Sequence, residues 1–316
     1  YILLFTEATN WATGDMVLTG DIFVRDLFLE TTTLASAKWT GGPGNNDSST
    51  GDISDDGRFV VFASTSSNLT PDDTDIVSDI FLRDMVAGTT TLISVSLAGD
   101  SASGEAPSIS ADGRYIAFAS TAANIVPNDS NGMADIFVYD RQTDTFELVS
   151  VTSTDGQANH VSNHAVVSSD GRYVSFSSRA SNLVPGITNT DVFRAYLRDR
   201  DTGVTEAIAM TTGGAADNAG SANYAISPDG HYLVFSSSSG NLVANDNNAE
   251  IVIDGRTVNE TVIKRIDAWL PADHTRGSQP SFRCTRRRIC VLHGPPVQRN
   301  SRACPACSFV RRFGGI

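Results

Sequence analysis

Apolar and polar positions along this chain alternate with a period of two in short runs, broken by Asp-Gly, Asn and Ser. That period is the signature of strands, since successive side chains of an extended chain point to opposite faces. The run from Phe59 to Ser64 goes further, with Phe59 and Val61 on one face and Val60 and Phe62 on the other. A strand apolar on both faces belongs inside a stack of sheets.

The same phrase recurs: "ISDDGRFVVFAS" from Ile53, "ISADGRYIAFAS" from Ile109, "VSSDGRYVSFSS" from Val167 and "ISPDGHYLVFSS" from Ile226, at spacings of 56, 58 and 59 residues. A further copy is implied at the front, because Tyr1, Asp21 and Asp26 precede Phe59, Asp79 and Asp84 by 58 residues. The chain therefore starts inside a repeat. Each unit predicts four strands: one ending at the Ser before Asp-Gly, a second such as 114–120, a third such as 135–140 and a fourth such as 145–151. Asp-Gly between apolar runs is a hairpin signal, because Gly accepts the positive φ of the turn. A single four-stranded sheet cannot bury two faces, so the units must stack, and radial stacking gives an all-β fold, a β-propeller of four-stranded antiparallel blades.

The pattern Ser-x-Asp-Gly-Arg-Tyr-x-x-Phe followed by Asp-Ile-Phe-Val-x-Asp resembles the TolB-type β-propeller repeat, a relative of WD-type repeats, over roughly residues 1–282. About five blades are visible and a sixth is disrupted. The resemblance implies architecture more than activity, since scaffolds, binding modules and propeller parts of enzymes share it. It also implies a periplasmic or extracellular setting. The chain opens on Tyr1 without an initiator Met, so its first residues are silent about a signal peptide.

In an up-and-down blade, connections alternate between the two ends of the strands. The Asp-Gly turn shares one end with the short third-to-fourth turn, such as 142–144. The long Asn- and Asp-rich loop shares the other with the blade-to-blade connection, such as 153–162. The second end is expected to carry function, because long loops on a rigid frame are where binding concentrates. Asp100, Glu105, Asp155, Asn159, His160, His164, Asp217 and Asn218 are the candidate ligand-facing residues there.

Charge narrows the partners. Residues 1–255 hold 33 Asp/Glu against 11 Lys/Arg, net −22, and residues 256–316 hold 3 against 12, net +9. The acidic body disfavours nucleic acid and anionic membrane surfaces and suits cations or basic partners. No apolar run approaches the roughly 20 residues of a spanning helix, so membrane insertion is not expected.

The loops "TPDDTDIVSD", "VPNDSNGMAD", "VPGITNTD" and "VANDNNAE" end at Asp79, Asp135, Asp191 and Glu250. A hard cation such as calcium takes several oxygen ligands from a flexible loop. Asp72, Asp73, Asp75 and Asp79 form one candidate set, Asn128, Asp129, Asn131 and Asp135 another, and Asn245, Asp246 and Asn248 a third. The spacing is not that of an EF-hand, and the same residues are ordinary turn formers; both readings stand at this level. Asp79 and Asp135 are expected to fix their loops by accepting backbone hydrogen bonds. In the third copy, Arg194 falls where those aspartates sit, which removes a cation site there. His160 and His164 are spaced as helical metal ligands but sit in an extended segment lacking a Glu partner, so a polar loop is expected.

No Gly-x-Ser-x-Gly is present, and the Ser residues after each second strand, such as Ser236 to Ser239, recur in every unit and are expected to have structural duties, since a catalytic residue is needed once. The sequence therefore points to a monomeric, non-enzymatic module binding a protein, peptide or glycan. The alternative is the propeller portion of a larger peptidase, lyase or glycosidase.

All four cysteines, Cys284, Cys290, Cys304 and Cys307, lie in the last 33 residues. Residues 283–316 form an Arg- and Cys-rich tail in which the repeat vanishes. Cys-x-x-Cys alone is weak evidence for zinc, and the other pair is spaced Cys-x5-Cys. A shift of reading frame over about residues 283–308 recovers Asp-Gly where a sixth blade requires it, so the expectation for the tail is a frameshifted remnant of a further blade.

Overall fold

The computed structural model describes residues 1–8, 11, 19–188, 191–210, 214–216, 219–228, 230–240, 242, 251–253, 256–258 and 260–265. All belong to the first of two compact units, Tyr1–Asp273. The tail and its cysteines lie outside the described residues. Among these residues there is no helix, hence none long and apolar enough to cross a membrane.

Four sheets follow one another between Ile2 and Ala207. Blade 1 is β1 (Ile2–Thr6), β2 (Asp21–Arg25) and β3 (Thr32–Leu34). Blade 2 is β4 (Ser48–Ile53), β5 (Phe59–Ser64), β6 (Asp79–Asp84) and β7 (Thr89–Leu92). Blade 3 is β8 (Glu105–Ile109), β9 (Tyr115–Ser120), β10 (Asp135–Asp140) and β11 (Thr145–Leu148). Blade 4 is β12 (Ser162–Val167), β13 (Tyr173–Ser178), β14 (Arg194–Asp199) and β15 (Val204–Ala207). Each is an antiparallel meander of strands in sequence order. Blade 1 opens on the second strand of the unit, with Asp21 opposite Thr6 as Asp79 is opposite Ser64.

The second strand is buried on both faces because it is shared between neighbours. Val60 and Phe62 pack with Ile22 and Val24 of blade 1, whereas Phe59, Val61 and Ala63 pack with Ile116 and Phe118 of blade 3. Phe62, Phe118 and Phe176 are fully buried. Each such side chain contributes about 1.5–3 kcal/mol through the water it sheds.

At the Asp-Gly turns, Gly57, Gly113 and Gly171 have φ of 75°, 74° and 76°, while the preceding aspartates keep negative φ. The turn closes by donation from the Gly57 N–H to the Ser54 carbonyl at 2.9 Å, repeated at Gly113 and Gly171. Glycine is required twice over, because a Cβ on Gly113 or Gly171 would also collide with the ring of Phe59 or Tyr115 in the preceding blade. Arginines complete this face. Arg114 grips Asp140 through two hydrogen bonds of 2.8 and 2.7 Å, and Arg58–Asp84 and Arg172–Asp199 repeat the pair. Arg141 lies over the Phe59 ring at 3.9 Å and Arg200 over Tyr115 at 4.6 Å, joining consecutive blades.

First strands of successive blades lie side by side, linked where Asp52 accepts from Ser108 Oγ at 3.1 Å and Ser108 Oγ accepts from the Val167 N–H at 3.3 Å. Each carries a bulge at the same place, with φ of 23° at Thr50, 49° at Ala106 and 53° at His164.

Blade 5 departs from the expected layout. β16 (Ser221–Ile226) pairs with β17 (Tyr232–Ser237), and β18 (Ile251–Ile253) pairs with β19 (Arg256–Val258) as a separate two-stranded sheet. The strand beside β17 is β20 (Glu260–Arg265), with Glu260 opposite Ser237. The register position of Asp79 therefore belongs to Glu260, not Glu250. Two short apolar runs on either side of an Asp254-Gly255 sequence pair with each other, a local hairpin that outcompetes pairing with β17.

Candidate functional site

Two segments meet at the loop end of each blade, as the alternation of connections requires. One is the second-to-third loop, residues 65–78 in blade 2 and 121–134 in blade 3. The other is the connection to the next blade, residues 93–104 and 149–161. A single antiparallel bridge turns each connection back on itself, pairing Val95 with Ser101, Val151 with Gln157 and Met210 with Ala216. That bridge sets Ser101 and Gln157 at the mouth of the adjoining loop.

At the start of the third strand in blades 1, 2 and 3 sits a buried aspartate. Asp21, Asp79 and Asp135 accept from Ser36, Ser94 and Ser150 Oγ at 2.6, 2.8 and 2.5 Å. The same hydroxyls accept the N–H groups of Ile22, Ile80 and Ile136. The expectation that these aspartates bind backbone directly is thus corrected: a serine stands between carboxylate and amide, because the carboxylate is turned from its own strand toward the connection. Sequence reasoning misses these serines: they follow the fourth strand, whereas the recurrent serines it singles out follow the second.

Blades 2 and 3 then diverge. In blade 3, Gln157 Nε2 bridges Asp129 Oδ1 at 2.6 Å and Asp135 Oδ2 at 2.9 Å, and Asn131 Nδ2 adds a 2.7 Å bond to Asp135 Oδ2. Gln157 was not anticipated; it lies 22 residues beyond Asp135, and only the bridge in the connection brings it there. In blade 2 the corresponding positions are Asp73, Asp75, Asp79 and Ser101. Ser101 Oγ reaches Asp79 Oδ2 at 2.8 Å, while oxygens of Asp73, Asp75 and Asp79 lie within 4.8 Å of one another. Burial pushes the Asp79 and Asp135 carboxyls up to about 6 against the pull of their serine donors, and burial also raises Asp73.

Other members of the two candidate cation sets stand apart. Asp72 is exposed and outside the carboxylate group. Asn128 is exposed with φ of 68°, a turn position rather than a ligand. Asn245, Asp246 and Asn248 lie outside the described residues, as do Asp217 and Asn218.

Blade 4 loses the aspartate and its partner together. Arg194 occupies the register position opposite Ser178, and Ala209 replaces the serine. The backbone N–H of Ala195 is instead taken by Ser221 Oγ at 3.0 Å. A lone buried serine would have had no carboxylate to meet, so the two changes belong together.

The remaining candidates are distributed rather than gathered. Asp100 is exposed at a connection turn, where its N–H donates to Ser96 Oγ. Asp155, at φ 60°, pairs with Arg198 at 2.8 Å. Asn159 is tied to Asn182 and Ser181 across the two loop segments, the bond Asn45 makes with Asn68 and Ser67 in blade 2. His160 Nδ1 accepts its neighbour's N–H. Glu105 and His164 correct the expectation of a loop position, since both lie exposed on the first strands β8 and β12, His164 at the bulge. His160 and His164 belong to different elements and form no metal-type group among the described residues.

Large apolar side chains are exposed on the loop end at Trp39, Ile76, Val77, Leu97 and Met133, and on the Asp-Gly end at Leu27, Phe28, Leu29 and Val86.

No family model matches the sequence, and no curated protein does. Solved structures with a similar fold include TolB from Acinetobacter baumannii, at TM-score 0.46 and 16% identity, covering 78% of this chain and 47% of that one. The β-propeller domain of the Trilobed protease from Pyrococcus furiosus aligns at TM-score 0.41 and 14% identity over 69% of this chain and 53% of that one. Oligogalacturonate lyase from Vibrio parahaemolyticus aligns at TM-score 0.41 and 13% identity, over 69% and 52% of the respective chains. The chain thus spans about half the length of each of these proteins. Its own sheets carry the assignment: it is an all-β chain of β-propeller blades, similar to those of TolB.

Proposed function

We propose that the chain is a non-enzymatic recognition module whose loop-bearing end binds a protein, peptide or glycan. One observation carries this reading: above its repeated serine–aspartate pairs, the loop end changes its solvent-facing groups from blade to blade. On the Asp-Gly end the same Arg–Asp pair recurs in blades 2, 3 and 4, as a shared packing duty demands. On the loop end, equivalent positions hold Trp39, Leu97 and Ser153, or Ile76 and Gly132, or Val77 and Met133, and all of these residues are exposed. Varied groups on a repeated frame are what an outside ligand can read. Aromatic and apolar groups beside exposed carboxylates such as Asp72 and Asp100 suit an amphipathic, basic ligand. A periplasmic or extracellular setting belongs to the same reading and is supported by the TolB-type resemblance of the repeat.

The test is a screen of the immobilised full chain against displayed peptides and arrayed glycans, repeated with Trp39→Ala/Leu97→Ala and with Phe28→Ser. Hits lost in the first variant and kept in the second are expected. Hits lost only with Phe28→Ser would move the surface to the opposite end and refute the reading.

A further inference from the structure

Blades 2, 3 and 4 place Arg83, Tyr139 and Arg198 at one register position of the third strand, opposite Thr90, Phe146 and Thr205. The two arginines sit alike. Arg83 Nη1 donates to Thr90 Oγ1 at 3.0 Å and Arg198 Nη1 to Thr205 Oγ1 at 3.1 Å, and each threonine donates in turn to a carbonyl of the incoming connection, Ala37 or Val151. Their Nη2 atoms lie 3.8 and 3.7 Å from the place a Cβ would take on Gly88 and Gly203. The connection makes the same turn in each blade: the N–H of Gly41, Gly99 or Asp155, at φ of 88°, 86° and 60°, donates to the carbonyl of Lys38, Ser96 or Thr152.

In blade 4 that turn residue completes an ion pair. Asp155 Oδ1 accepts from Arg198 Nη2 at 2.8 Å, with the arginine side chain 6% exposed and the aspartate 81%. Blade 3 lacks both partners, having Tyr139 and Gly99 instead. Blade 2 keeps the cation and lacks the carboxylate. Nothing lies within 4 Å of a Cβ built on Gly41, and the hydrogen bonding of Arg83 among the described residues is its one bond to Thr90. Lys38, at the place of Thr152, adds a second cation to the same turn. Burial pulls the Arg83 guanidinium below its ordinary value without neutralising it, since arginine stays charged in proteins. A half-buried cation gains more from a carboxylate than a fully solvated one, because the effective dielectric around it is lower.

We propose that Arg83 and Lys38 form a carboxylate-binding site beside β7 of blade 2, in which a Glu or Asp side chain of a peptide takes the place that Asp155 fills in blade 4. The exposure of Asp155 shows that this place opens to solvent in blade 4. Trp39 and Val86, exposed in the turns of residues 38–41 and 84–88 on either side of Arg83, offer the flanking residues of a peptide apolar surface. The net charge of −22 over residues 1–255 repels anions at long range, but at physiological salt that field fades within about 8 Å and direct contact decides.

The probe is acetyl-Val-Glu-Val-amide, with acetyl-Val-Gln-Val-amide as its uncharged counterpart, each titrated into the full chain and followed through the NMR signal of the Arg83 Nε–H. The Glu peptide should shift that signal and bind about tenfold more tightly than the Gln peptide, the worth of one charge-assisted hydrogen bond. Gly41→Asp, which supplies the carboxylate from the chain itself, should abolish binding, and so should Arg83→Gln. Equal affinity for the two peptides, or no binding of the Glu peptide at millimolar concentration, overturns the proposal. So does unchanged binding in whichever of the two variants folds. The probe carries no basic group, so the loop-end surface proposed for a basic ligand stands or falls separately.

Discussion

Replacing Gln157 by Ser removes the amide that bridges Asp129 and Asp135 in blade 3. Asp129 loses its hydrogen bond to Oδ1, and its Oδ2 already has no partner in a residue that is 9% exposed. Asp135 loses the 2.9 Å donor to its Oδ2 as well, and because a hydrogen bond to a charged group contributes about 1.5–3 kcal/mol, the expected loss at pH 8 is about 3 kcal/mol. Titration sharpens the expectation. The Asp135 carboxyl sits at about 6 in the fold against 3.8 for the free group, because burial disfavours its charge. Its contribution to stability is fully present below about pH 3.8 and is lost as pH rises through 6, a span worth about 3 kcal/mol. Without Gln157 the carboxyl rises further, so more is lost at high pH, whereas below 5 the protonated group has little need of the amide. Urea unfolding followed by circular dichroism should give a loss of about 3 kcal/mol at pH 8 shrinking to about 1 kcal/mol at pH 4.5. An equal loss at both values would refute the electrostatic account of the bridge.

Three further outcomes follow from the same geometry. Gly171→Ala should cost about 2–4 kcal/mol, combining a left-handed backbone with displacement of Tyr115, while Gly99→Ala, with φ of 86° and nothing nearby, should cost only the backbone part of about 1–2 kcal/mol; equal losses in urea unfolding would remove the inter-blade argument. Arg194→Asp should destabilise blade 4, and Ala209→Ser should recover about 1.5–3 kcal/mol of that loss in a double-mutant cycle, where strict additivity would show that the two positions do not interact. The pair with Arg58 holds the Asp84 carboxyl down to about 2, so its stabilising effect is present above the free-group value of 3.8 and fades as pH falls toward 2. Asp84→Asn should therefore flatten the acid limb of a plot of melting temperature against pH, and an unchanged limb would count against the pair.

Much of this architecture is legible in the chain because propeller blades are built from local signals. The period of two in Phe59–Ser64, the Asp-Gly turn and the fixed spacing between copies are short-range patterns, and each is needed wherever a blade meets its neighbour. Even the substitution at Arg194 shows as a break in register. Blade 5 departs from the expected strand where local signals compete, since Ile251–Ile253 pairs with Arg256–Val258 and the strand beside β17 begins at Glu260.

The chemistry of the loop end was legible only in part. The sequence by itself determined the period, the strand order, the two ends of the blades and the aspartates that open the third strands, because these depend on neighbours in sequence and on a repeated unit. Only the tertiary structure decided which carboxylates are satisfied. Gln157 and Ser101 reach the loops from 22 residues beyond Asp135 and Asp79, across a connection whose return is set by one backbone bridge. Hydrogen bonds of 2.6–2.9 Å depend on that return to a fraction of an ångström, and no periodicity in the chain records it.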